Sequence, residues 1–441
     1  MEDLDDGITA VAAHVAIIGA GWAGLAAAVE LCSSGVPVTV FEASHHPGGR
    51  ARPVQLEGVE VDNGQHILIG AYRETLAMMR RVGVDPELVL HRMPLDIRYA
   101  DGFHLRAARL PYPLNLAIGL LAANRLPIAE AIGAMRFMRH LQRQAFRVQP
   151  DRAVSEWLDA HSQRGVLRSH LWEPLCLSAL NTPPGLASAQ VFANVLRDGL
   201  TGSARASDLL VARSNLGKLF PEPAIQFLRS RGGRIELGML VRKLAAVPGG
   251  FRINDRPEFF SAVILACGPH HAHPLLRGFP ALDAARGLME SFEYEPIVTA
   301  YLQYPASVSL PAVMLGLTDG VAHWIFDRGV TEGRPGLLSA VISGSGPHLQ
   351  LGRQALVAGV ERSLQQLLGE LPRPLWTRVI NEKRATFSCR VALARPEGRT
   401  AVSGLWLAGD YVASDYPGTL ESAVRSGLAA AQGMMQAQAA T

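Results

Sequence analysis

Three glycines placed directly after a short apolar run, Gly19, Gly21 and Gly24, constrain this chain more than any other feature. The run Val15-Ala-Ile-Ile ends at Gly19, and an alanine-rich helical stretch starts at Gly24. In G-x-G-x-x-G spacing the first glycine permits a sharp turn and the second lets backbone approach a diphosphate. The third lets the helix lie close on the strand. Trp22 and Ala23 sit inside this turn, at a helix N-terminus that offers unpaired N–H groups and a positive dipole end. A second strand is expected over residues 36–41, followed by Glu42 and Ala43. A carboxylate there accepts hydrogen bonds from a ribose diol and repels a 2′-phosphate. FAD and NAD both satisfy this half of the pattern.

The chain is long enough, at 441 residues, for two interleaved domains. A net charge of +3 is small for this size and gives no reason to expect nucleic acid. Four cysteines, Cys32, Cys176, Cys267 and Cys389, are spread singly, which suits a reducing compartment and offers no metal site. The first seven residues are acidic where a secretory leader would be basic. The apolar stretch over residues 114–123 has ten residues, short of the roughly 20 a spanning helix needs. These features predict a cytoplasmic protein without transmembrane segments.

A β-α-β unit covers residues 14–41 and a further strand-like segment starts at 59, helical patterns dominate from 72 to about 220, and strands return from 233. Alternating runs at 297–303 and 337–342 suit a second, antiparallel sheet, and residues 404–408 and 421–435 read as a last strand and a closing helix. The fold class expected is α/β. A discontinuous Rossmann-type FAD/NAD(P)-binding domain (residues 1–71, 221–290 and 376–441) interleaves with an α+β substrate domain (72–220 and 291–375). The substrate domain would carry the antiparallel sheet and a helical part.

Two further segments decide between the cofactors. Gly48, Gly49 and Arg50, followed by Ala51, resemble the second fingerprint of the FAD-dependent family that includes amine oxidases, phytoene desaturases and protoporphyrinogen oxidase. The resemblance implies that this backbone and the arginine approach the diphosphate and the flavin end. Nearly 400 residues on come Gly409 and Asp410, then Tyr416-Pro-Gly418-Thr419-Leu420 and Ala423. A strand ending at Asp410 can bring a carboxylate to the ribityl hydroxyls. A helix starting at Pro417-Gly418-Thr419 can point N–H groups at flavin O2, where reduced flavin carries negative charge. Val241 matches the family's backbone contact to adenine. No Cys or His stands at an obvious covalent-flavin position, so FAD would be held non-covalently, with Cys389 unlinked.

The stretch Asp62-Asn63-Gly64-Gln65-His66, with Glu382-Lys-Arg-Ala-Thr-Phe and Ala394-Arg-Pro, is similar to the squalene-associated FAD-dependent desaturases of bacterial hopanoid synthesis. Members of that group act as hydroxysqualene dehydroxylases. The resemblance implies reductive loss of an allylic hydroxyl from a long isoprenoid, with flavin re-reduced by NAD(P)H or a redox partner and substrate coming from upstream squalene-pathway enzymes. Asn63, Gly64, Gln65 and His66 would face the cofactor. His66 and Tyr416 are the candidate proton donors, each beside a flavin-contact segment, though His66 can equally orient its turn and Tyr416 serve as an aromatic wall.

Arg136, Arg139, Arg143 and Arg147 recur at helical spacing opposite Ala134, Met138, Leu141 and Ala145. With residues 114–123 this suits peripheral docking at the inner face of a membrane, and equally a core-packed helix with a solvated basic face. Three other functions fit the same fold. A carotenoid desaturase would run electrons the other way, an amine or protoporphyrinogen oxidase would release peroxide, and a non-redox isoprenoid carrier would be colourless.

Overall fold

All four side chains of Val15–Ile18 are buried, as befits a strand covered on both faces. This strand, β1, is central to a computed structural model that describes residues 14–439. The acidic first seven residues lie outside that range. In chain order the framework elements are β1, α1 (Trp22–Ser33), β2 (Val38–Glu42), α2 (Arg73–Arg81), α3 (Leu114–Leu121), α4 (Ile128–Arg143) and α5 (Glu173–Leu180). There follow α6 (Pro221–Ser230), β3 (Arg234–Leu237), β4 (Ala262–Leu265), β5 (Tyr294–Gln303), β6 (Met314–Gly316), β7 (Trp324–Asp327) and β8 (Leu337–Ser343). The series ends with α7 (Arg353–Leu368), β9 (Trp376–Phe387), β10 (Leu405–Leu407) and α8 (Leu420–Ala439).

The first sheet has the order β3-β2-β1-β4-β10 and every pair is parallel. It is the α/β layer the glycine turn demands, with α1 and α8 packed together over it. The second sheet has the order β6-β7-β8-β5-β9 and every pair is antiparallel. Helix α7 covers it through Leu356, Val360 and Leu364.

Two segments sit in a different layer from the one expected. Residues 376–387, placed with the cofactor layer from sequence, form β9 and run antiparallel to β5. This strand lies at the sheet edge with many side chains exposed, so it carries a weak apolar alternation. Conversely α2, expected with the substrate part, packs on α8. There Thr75 N and Oγ1 and Glu74 N donate to the buried Glu421 carboxylate at 2.9, 2.7 and 3.1 Å.

The helical layer holds Trp157, Trp172 and Phe192 in its core. Helix α4 buries Ala131, Ala134, Phe137 and Leu141 and exposes Arg136, Arg139 and Arg143. The helix stops at Arg143, and Ala145 and Phe146 turn the chain at φ of 49° and 57°. Arg147 and Ala145 therefore do not extend the two helical faces as expected. The four cysteines are unlinked.

Candidate cofactor and substrate site

A cavity of about 880 Å³ is lined by both sheets and by the helical layer. Its size is at the upper end of small-molecule sites, which run to about 1,000 Å³. Its lining includes Gly19, Gly21, Trp22 and Ala23 of the β1–α1 turn, Glu42 and Ala43 after β2, and Val241 after β3. Gly48, Gly49, Arg50 and Ala51 line it too, with Gly409 and Asp410, and so do Asn63, Gly64, Gln65 and His66, with Gly418, Thr419, Leu420 and Ala423. Of the residues expected at the cofactor, Gly24 alone does not line the cavity. A Cβ on Gly24 would stand 1.9 Å from the Gly19 carbonyl oxygen, so its absence is what lets α1 approach the turn, as the spacing requires. Gly19 adopts a φ of +110°, which side chains disfavour.

The polar groups are pre-set. Glu42 accepts from Ala20 N at 2.7 Å and Ser44 N at 2.8 Å, which fixes both carboxylate oxygens at the strand end with lone pairs to spare. Arg50 joins segments far apart in sequence: Nη2 donates to Asp410 at 2.6 Å and Nη1 to the Ala385 carbonyl at 2.6 Å. Behind the 62–66 turn, the buried Arg328 donates to Gln65 and lies 3.7 Å from Asp62 and beside Glu332. Burial pushes the Asp62 carboxyl up to about 7 despite that arginine. Asp62 also accepts from Leu216 N at 2.8 Å, so its role is to brace the turn.

The two candidate proton donors fare differently. His66 lines the cavity, but burial lowers its pKa to about 4, so the imidazole is neutral near pH 7. With Nδ1 donating to the Gly64 carbonyl at 2.9 Å, Nε2 is left as an acceptor. In this neutral form His66 orients its turn and offers a lone pair. Tyr416 does not line the cavity. Its hydroxyl donates to Asp198 at 2.6 Å and its ring lies under the Arg425 guanidinium at 4.9 Å.

Several lining residues were missed from sequence. His270 and His271 follow β4, at the carboxyl end of a parallel strand, which is where such sheets bind ligands. Lys383, Arg384 and Thr386 come from β9. Ser178, Ala179 and Asn181 at the α5 end, with Ile297 of β5, also line the cavity. Asn181 has φ of 48° and ties three elements together, donating to Thr386 Oγ1 at 3.1 Å and to the Glu295 and Pro296 carbonyls at 3.3 Å. Its own Oδ1 accepts from Gly344 N at 2.8 Å.

Three buried polar atoms of lining residues have no protein partner among the described residues: Trp22 Nε1, His270 Nδ1 and Tyr411 Oη. Trp22 and Tyr411 are donors there, and His270 Nδ1 is donor or acceptor by tautomer, so a ligand with oxygen acceptors fits this lining. The cavity also carries Arg50, Lys383 and Arg384, a cation set that fits a diphosphate. Residues 22–435 match the model of the flavin-containing amine oxidoreductases. The chain belongs to that family. This flavin amine oxidoreductase homologue is a flavin-dependent oxidoreductase, and its cavity fits the group. It is 31% identical to a hydroxysqualene dehydroxylase of Sinorhizobium fredii over 95% of this chain and 97% of that protein. It is 22% identical to a probable zeta-carotene desaturase of Synechococcus elongatus over 97% of this chain and 99% of that one. Cyclohexylamine oxidase of Brevibacterium oxydans has the same fold, with a TM-score of 0.71 and 20% identity over 97% of this chain and 99% of that one.

Proposed function

We propose that this flavoenzyme holds FAD non-covalently and converts hydroxysqualene to squalene. The observation that carries the reading is near full-length similarity to a hydroxysqualene dehydroxylase at 31% identity, against 22% for the zeta-carotene desaturase. Reduced flavin supplies a hydride equivalent, and with one proton the allylic alcohol leaves as water, so the alcohol carbon is reduced by two electrons as the flavin is oxidised.

The chain's own residues bind and orient. The Gly19–Gly21 turn, Arg50 and Arg384 take the diphosphate, Glu42 the adenosine ribose, and the Gly418–Thr419 segment the pyrimidine edge. Ile67, Ala179 and Ile297 form an apolar wall for the isoprenoid. Neutral His66 lines the same cavity with a ring that tolerates a neighbouring allylic cation, and the proton that turns the departing hydroxyl into water comes from solvent. NAD(P)H or a redox partner restores the reduced flavin, upstream squalene-pathway enzymes supply the alcohol, and the enzyme works at the inner face of the membrane where such a substrate resides. No helix among the described residues is long and apolar enough to cross a membrane.

Similarity to carotene desaturases gives the second reading, hydride removal from a polyene precursor to oxidised flavin. Incubation with hydroxysqualene and, separately, with phytoene or zeta-carotene decides between them by lipid product. Squalene from the first and nothing from the others is the expected result. A more unsaturated carotenoid with no squalene would refute the dehydroxylase reading.

A further inference from the structure

Six of the thirteen exposed large apolar side chains among the described residues fall within residues 110–132: Leu110, Leu114, Ile118, Leu121, Ile128 and Ile132. Leu114, Ile118 and Leu121 are spaced 4 and 3 apart and share one ridge of α3, whose Asn115 and Gly119 turn inward. Ile128 and Ile132 share a ridge of α4 distinct from its core face of Ala131, Ala134, Phe137 and Leu141. Ile128 is 66% exposed, Leu114 55% and Leu121 52%, so this second apolar face of the α3–α4 hairpin is uncovered among the described residues.

Charge is segregated in the same place. Residues 102–150 hold seven arginines against one glutamate, a net +6, in a chain whose total is +3, which leaves −3 for the rest. That glutamate, Glu130, is turned inward and accepts from Leu167 N at 2.9 Å. Arg109, Arg136, Arg139 and Arg143 are exposed and have no ion-pair partner among the described residues.

We propose that the α3–α4 hairpin is a docking surface for an anionic lipid bilayer, with the aliphatic ridge entering the headgroup–acyl boundary and the arginines engaging lipid phosphates. The proposal rests on the reading above for why a bilayer is useful, while its geometry is independent of the substrate. A protein partner fits less well. Protein interfaces concentrate aromatic anchors in a core depleted of charge, whereas residues 110–132 contain one aromatic, Tyr112, and the arginines around them are of one sign. A shallow aliphatic ridge on a basic face is what the interfacial layer takes up. The hairpin is also joined to the site. Helix α4 packs on the helical turn Gly165–Leu167, which continues through Arg168–Trp172 into α5, whose end lines the cavity.

The test is co-sedimentation of the flavin-loaded full chain with vesicles of phosphatidylcholine alone and of phosphatidylcholine with about a quarter phosphatidylglycerol. The expected result is binding about tenfold or more tighter to the anionic vesicles and weakened by salt. Ile118→Asp with Leu121→Asp should lower it about tenfold or more, and so should the fold-neutral set Arg136→Gln, Arg139→Gln and Arg143→Gln. Flavin absorbance and circular dichroism confirm that each variant is folded. Binding to neither vesicle, or binding indifferent to lipid charge and to both variant sets, would overturn the proposal. So would an Ile118→Asp change that turns a dimer into a monomer without affecting vesicles, since the face would then belong to a second copy. Dehydroxylation of detergent-dispersed substrate, read separately, fails or succeeds on the proposed function alone.

Discussion

Arg50 and Asp410 are 360 positions apart in sequence, and one contact of 2.6 Å between them ties the N-terminal fingerprint to the C-terminal one. A charge-assisted bond of this kind contributes about 1.5–3 kcal/mol, and the arginine also lines the cavity proposed to hold the anionic cofactor. Arg50→Met should therefore weaken FAD binding by about 10- to 100-fold in a fluorescence titration of the apo-protein, with the fold retained. His66 gives a pH prediction. Its folded pKa of about 4 lies below the ordinary 6.5, so the unfolded chain takes up the proton first as pH falls. Stability from this residue is present above about 6.5 and is lost on acidification towards 4. Wild type should lose roughly 1–2 kcal/mol more than His66→Gln between pH 7 and pH 5, read from unfolding curves at each pH, a figure reduced for the water that reaches the cavity. The identity of these residues was legible in sequence, but their roles were only partly so. Gly19, Glu42 and Arg50 act through backbone and charge fixed by local motif. The neutral state of His66 depends on burial by the assembled layers, and Tyr416 is drawn away by Asp198, a partner 218 positions distant that no motif reveals.

Among elements, the β1–α1–β2 unit was legible because its period and its glycines are both local. Strand β9 was not, because an edge strand with exposed side chains hides its alternation, and with it went Lys383, Arg384 and Thr386 from the site. The junction of α5 with the second sheet is equally non-local. Asn181 makes it with a single left-handed residue whose side chain serves both β5 and β9. Asn181→Ala removes the side-chain bonds to Thr386 and to the Glu295 and Pro296 carbonyls, leaves Gly344 N with the Pro296 carbonyl at 3.0 Å as its acceptor, and keeps a left-handed backbone, so unfolding free energy should fall by about 1–3 kcal/mol. Urea denaturation should show a lower midpoint at unchanged slope, and a variant as stable as wild type would contradict the bracing role assigned to Asn181.

At the scale of the molecule, the cavity is walled by residues from Ile18 to Ala423 contributed by both sheets, so a bound flavin would add a clamp to layers already joined by bonds such as Arg50 to the Ala385 carbonyl. Loading should raise the stability of the whole chain, by about 2.7 kcal/mol at FAD a hundredfold above its dissociation constant. Differential scanning calorimetry should show one transition moving upward with FAD and none of this shift with NAD. The direction of electron flow is the central claim. Its most direct measurement is anaerobic mixing of the photoreduced protein with hydroxysqualene, following flavin absorbance and quenching for lipid analysis. Reoxidation of the flavin with one squalene formed per flavin is the expected result. Flavin that stays reduced with the alcohol unchanged, or oxidised protein that the alcohol bleaches, would contradict it.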